Sequence, residues 1–174
     1  MSISVNMIVT DVITGAEYLV LWISPDGTYG YWHNLSSPSR MPVKVITAEA
    51  EAGIADGRYE TGVFAAPLRP EETLSIKERE YRDRRWDLIE HIVEREPEVY
   101  DNYHRIRLIR EVSEKKNTTV SNLYKLLDRY WRSGKSKNGL LPLYSNCGVK
   151  GKPRKDNAEK GDAGVQTGRK KGNH

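Results

Sequence analysis

Apolar residues recur along this chain with two different periods. Up to about residue 64 they come in short runs rich in β-branched and aromatic side chains, at 7–13, 17–24 and 28–34. Such runs suit strands. Thr14-Gly15 and Pro25-Asp26-Gly27 are turn signals between them, so the pattern predicts a meander. Residues 43–46 predict a fourth short strand, Thr47 the cap of a short helix through 48–56, and 58–61 a further strand. This mix suggests a small barrel-like or α+β module.

Beyond Pro67-Leu68-Arg69-Pro70, which reads as a linker, the period lengthens to that of a helix. A first helix is expected to begin near Thr73 or Ser75 and run to about Arg95, ending before Pro97. Trp86, Ile89, Ile92 and Val93 share one of its faces, and Glu, Asp and Arg cover the rest as a solvated, ion-paired surface. A second helix lies within 98–115, with Ile106, Ile109 and Val112 inward. The short Lys116-Asn117-Thr118 connection leads to a third, for which Thr119 is a natural N-cap. That helix should run to about Ser133, with Gly134 placed to stop it. Leu123, Leu126, Leu127 and Tyr130 form its buried stripe; Ser121, Asn122, Lys125, Arg129 and Arg132 lie largely on the other side.

The expected fold is therefore α+β: a small N-terminal β-rich unit (1–68), a three-helix helix-turn-helix domain (69–146) and a basic C-terminal arm or tail (147–174). Three helices with a tight turn before the last form the arrangement that places the final helix in a DNA major groove.

Charge sharpens that picture. Residues 1–101 hold ten basic and eighteen acidic side chains, a net of −8, whereas 102–174 hold eighteen and six, a net of +12, giving the overall +4. A polyanion would meet the second part first. Ser121 or Asn122, with Lys125, would read base edges, while Lys115, Lys116, Arg129, Arg132 and Lys135 would hold phosphates. Thr118, Thr119, Tyr124 and Lys137 complete the expected DNA-binding surface. Lys150, Lys152, Arg154 and Lys155 would extend it as an arm along the backbone or minor groove. A solvated basic face is the plain alternative for the helix. Trp22, Tyr29, Tyr31 and Trp32 also admit a stacking platform for single strands, against which stand the acidity of that unit and the usual role of strand aromatics in a core.

Other chemistry finds little support. Cys147 is the sole cysteine, so neither an intrachain disulfide nor a cysteine-based zinc site can form. His33, His91, His104 and His174 are scattered, without metal-ligand spacing. Gly134-Lys135-Ser136 ends like a phosphate-binding loop, but Arg129 stands where its first glycine is required, and a helix rather than a strand precedes it. No Ser-His-Asp or Cys-His set can be assembled. The expectation is no catalytic residue, no metal and no cofactor. The longest apolar run, Tyr-Leu-Val-Leu-Trp-Ile at 18–23, falls far short of a membrane span, and the N-terminus lacks the basic region of a secretory signal. A cytoplasmic protein is expected, nucleoid-associated when bound to DNA.

The run from Asn122 through Leu-Tyr-Lys-Leu-Leu-Asp-Arg-Tyr to Trp131, followed by Arg132, Gly134, the Asn138-Gly-Leu-Leu-Pro-Leu-Tyr144 stretch and the Gly148…Gly151 turn, resembles the TnsB-type transposases, relatives of phage Mu transposase. A small β-rich unit and the Lys-Glu-Arg-Glu-Tyr-Arg helix at 77–82 precede it in a related order. The likeness is strongest from about 117 to 154. It implies binding to the repeated sites at transposon ends, carried here by Thr119, Ser121, Asn122, Lys125 and Arg129. In complete family members a second helix-turn-helix and an RNase H-like catalytic domain with Asp, Asp and Glu metal ligands follow. This chain ends before either, so it is expected to act as a non-enzymatic fragment or a free-standing product. Its partners would be duplex DNA and other transposition proteins, with no membrane and no small-molecule substrate. The alternatives are an interaction module of a transposition complex and a helix-turn-helix transcriptional regulator.

Overall fold

A computed structural model describes residues 2–38, 41–66 and 69–142. The arm residues Lys150, Lys152, Arg154 and Lys155, together with Leu143, Tyr144 and Cys147, lie outside the described residues, as do Pro67 and Leu68 of the linker.

Five strands, β1 (Met7–Asp11), β2 (Glu17–Ile23), β3 (Tyr29–Asn34), β4 (Val43–Ile46) and β5 (Tyr59–Val63), form one antiparallel sheet in the order β4-β3-β2-β1-β5. The unit is thus an open sheet and not a barrel. Helix α1 (Thr47–Ala55) joins β4 to β5. Thr47 is its first helical residue and not its cap; Ile46 holds the cap position in extended conformation and offers no side-chain acceptor.

Strand β2 is central and covered on both faces, which explains its unbroken apolar run. Val20, with Val9 and Trp32, faces a small core closed by Ala50 of α1. Leu19 and Leu21 face the opposite way, into the larger core. The register shift between Val20 and Trp22 marks a bulge at Leu21. It brings Trp22 round to the same face as Leu21, opposite Tyr31, as a bulge does when it turns two successive side chains to one side.

Helices α2 (Ile76–Val93), α3 (Asn102–Lys115) and α4 (Val120–Arg132) pack around that larger core. Ile89, Ile92 and Val93 come from α2, Leu108, Ile109 and Val112 from α3, and Leu123, Leu126, Leu127 and Trp131 from α4. Sheet and helices therefore share one interior. Two details differ from the periodicity: Trp131 is fully buried where Tyr130 was expected to be, and α3 turns Arg105 and Leu108 inward in place of Ile106. Helix α2 opens with a capping box, in which Ser75 accepts from the Glu78 amide and Glu78 accepts from the Ser75 amide. The Arg69 guanidinium, 2.5 Å from Glu78, and these caps hold that carboxyl down to about 2.

Candidate nucleic-acid interface

The turn between α3 and α4 is built by local rules. Asn117 takes a left-handed conformation (φ 47°), which asparagine tolerates better than most residues. Its amide donates to Glu114 O and that of Thr118 to Ser113 O, so α3 closes in a Schellman motif. Thr119 then caps α4 by accepting from the Asn122 amide. The same closure ends α4, where Gly134 (φ 69°) and Lys135 donate to Trp131 O and Tyr130 O. A Cβ on Gly134 would meet the Phe64 ring at 2.6 Å, so glycine is required there on two counts.

Ser121, Lys125, Asp128 and Arg132 lie on one stripe of α4, at helical spacings of four, three and four. The first two are exposed. The last two meet the sheet. Arg132 donates from Nε to Asp128 Oδ1 at 2.9 Å, from Nη1 to Leu35 O at 2.6 Å and from Nη2 to Ser37 O at 2.7 Å. Asp128 Oδ1 also stands 3.1 Å from Nε2 of His33, a wholly buried side chain of β3. Burial pushes the Asp128 carboxyl up, yet the hydrogen bonds from His33 and Arg132 and their charges outweigh this and hold it below the usual carboxylate value. Trp131 packs between His33 and Tyr100, with ring centroids 5.7 and 5.9 Å away.

The expected DNA-binding residues accordingly fall into groups. Lys115 and Lys125 are exposed, and their ammonium groups have no hydrogen-bond or ion-pair partner among the described residues. Thr118 and Asn122 are joined, Asn122 Nδ2 donating to Thr118 Oγ1 at 3.1 Å, so both serve the turn itself. Tyr124 is half-buried, its ring against the main core. Lys116 pairs with Asp87 at 2.7 Å and Lys137 with Asp83 at 3.1 Å. These are exposed pairs worth roughly 0–1 kcal/mol, but their carboxylates oppose an approaching polyanion. Lys135 is half-buried, 3.1 Å from Glu96. Arg129 donates to Leu141 O, and its burial beside Arg85 lowers the guanidinium's pKa. Arg132, Lys135 and Arg129 are thus engaged inside the fold.

Sequence periodicity does not find the two buried arginines. Arg105 donates to Val99 O, Tyr100 O and Asn102 Oδ1, gathering the N-terminus of α3. Arg82 reaches Glu71, Asp83 and Asn138. Nothing in a helical wheel separates these from solvated arginines, because most of their acceptors, the Val99 and Tyr100 carbonyls, Glu71 and Asn138, lie outside the helix that carries them. Among the described residues no group of His, Cys, Asp and Glu is arranged to hold a metal, and no helix is long and apolar enough to cross a membrane.

The arrangement is an α+β protein in which three helices present a tight, basic turn and an exposed helix start. Residues 82–144, which span those helices, match the family model described as the TnsB second domain. The transposon Tn7 transposition protein TnsB of Escherichia coli is 38% identical over 55 residues, 32% of this chain and 8% of that protein. The chain therefore spans a small part of that relative's length. The likeness to TnsB-type transposases is shown over this stretch.

Proposed function

We propose that this chain binds duplex DNA through a helix-turn-helix made of α3 and α4, and that its targets are the repeated sites at transposon ends. The observation that carries the reading is the open first half of α4, with Lys125 exposed and without a partner among the described residues, in a stretch matched to the TnsB second domain. Ser121 and Lys125 enter the major groove and read base edges, and Lys115 holds a phosphate beside them. Residues 69–146 are the binding domain, 1–68 a buttress that fixes the angle of α4, and 147–174 a basic tail. Other transposition proteins are further partners, and the setting is the bacterial cytoplasm, on the nucleoid. In this reading the chain has no catalytic role of its own.

A competition titration of transposon-end against scrambled duplex tests it. The wild-type chain should prefer the end duplex, and Lys125→Ala should cost about 1–3 kcal/mol on that duplex while relaxing discrimination. Equal binding to both duplexes by the wild type would refute end recognition.

A further inference from the structure

Helix α3 carries a second basic feature that lies outside the surface described above. Tyr103, Arg107 and Arg110 follow one another at spacings of four and three, so they form a single outward stripe opposite the buried Arg105, Leu108, Ile109 and Val112. All three are exposed, Tyr103 to 74%. Neither guanidinium has a hydrogen-bond or ion-pair partner among the described residues. Glu111 and Glu114 stand one turn further on, yet in the order Arg before Glu, the weaker arrangement for pairing along a helix. Elsewhere in the helical part Arg69, Arg79, Arg82, Lys116, Arg132, Lys135 and Lys137 are paired with carboxylates, whereas Lys115 and Lys125 at the turn and on α4 share the open state of Arg107 and Arg110.

We propose that the Tyr103–Arg107–Arg110 stripe grips the sugar-phosphate backbone of the same duplex that α4 reads. The inference rests on the reading above. In a helix-turn-helix the helix before the turn crosses the DNA backbone while the next one enters the groove. Here that preceding helix is α3, and the stripe offers what backbone contacts use: two guanidiniums able to meet phosphate oxygens bidentately and a phenolic hydroxyl able to donate to a third. Among the described residues both arginines are free of intramolecular work, so placing them on phosphates breaks no pair seen there. The contact would be indifferent to sequence, supplying affinity and fixing register for the readers on α4.

The test is the salt dependence of binding, measured on end and scrambled duplexes for the wild type, for Arg107→Ala combined with Arg110→Ala, and for Lys125→Ala. Each lost phosphate contact lowers the slope of log affinity against log salt by about 0.9, so the arginine pair should lower it by about 2. The drop should be equal on both duplexes, with end preference retained and thermal stability unchanged. A slope unchanged in the arginine variant overturns this inference alone, provided Lys125→Ala still weakens the end duplex. Loss of end preference in the arginine variant at constant slope overturns it too, since the arginines would then be reading bases. A wild-type chain that binds neither duplex overturns this inference and the reading beneath it.

Discussion

From Val120 to Lys125 the outer stripe of α4 is open to solvent, whereas from Asp128 to Arg132 the same stripe is closed by β3 and the loop that follows it. Both halves are polar and basic in sequence. They differ in what lies across from them. Arg132 finds carbonyl oxygens of the β3 loop and the Asp128 carboxylate, so its charge is spent on holding the helix to the sheet. Lys125, two turns earlier, finds nothing among the described residues. A basic helix face is thus not one surface but two, an anchor and a candidate reader. A recognition helix needs both, because its readers gain specificity only when their angle to the groove is fixed.

Breaking the anchor should give the largest effects. Trp131 is wholly buried between His33 and Tyr100, and Trp131→Ala should cost about 3–5 kcal/mol of stability in urea denaturation. A loss under about 1 kcal/mol would mean that sheet and helices do not share a core. Arg132→Ala takes the guanidinium away from the Leu35 and Ser37 carbonyls and leaves Asp128 with His33 alone. A loss of about 2–3 kcal/mol is expected, measured in the same way; a change within about 0.5 kcal/mol would place Arg132 with the solvated arginines.

Acid should loosen the same joint more gently. Asp128 has a folded-state pKa below its ordinary 3.8, so its ionised form stabilises the fold above that value. The contribution fades as pH falls below 3.8 and through the lower folded value. Between about pH 5 and about pH 2 the wild type should therefore lose more stability than Asp128→Asn, as read by denaturation midpoints. Parallel losses in the two proteins would remove Asp128 from the acid response.

How much of this was legible in the sequence follows from the range of the forces involved. Thr119 as cap, Gly134 as stop and the Leu123, Leu126, Leu127 stripe are consequences of residues a few positions apart, and all stand as the spacing predicts. The strands likewise follow their apolar runs, the edges shifting by a residue or two. The joint between sheet and helix was not legible. His33 and Asp128 are 95 positions apart, as are Arg132 and Ser37, and no local pattern marks a histidine in a strand as the partner of an aspartate in a distant helix. The Tyr130–Trp131 exchange has the same origin: a single-helix wheel allows either, and the sheet packed on one side selects the tryptophan. For the site, the sequence singled out one helix and one turn and treated all their cations alike. The partners that distinguish them, Asp87, Glu96, Asp83 and the Leu35 and Leu141 carbonyls, are supplied by other elements.

The central claim, that open and engaged cations of one basic face have different jobs, is tested most directly by lysine labelling with and without transposon-end duplex, read by mass spectrometry. Lys115 and Lys125 should become protected on binding, while Lys135, held by Glu96, and Lys116 and Lys137, held by Asp87 and Asp83, should label as in the free protein. Protection of Lys116, Lys135 and Lys137 with Lys125 still reactive would contradict the account.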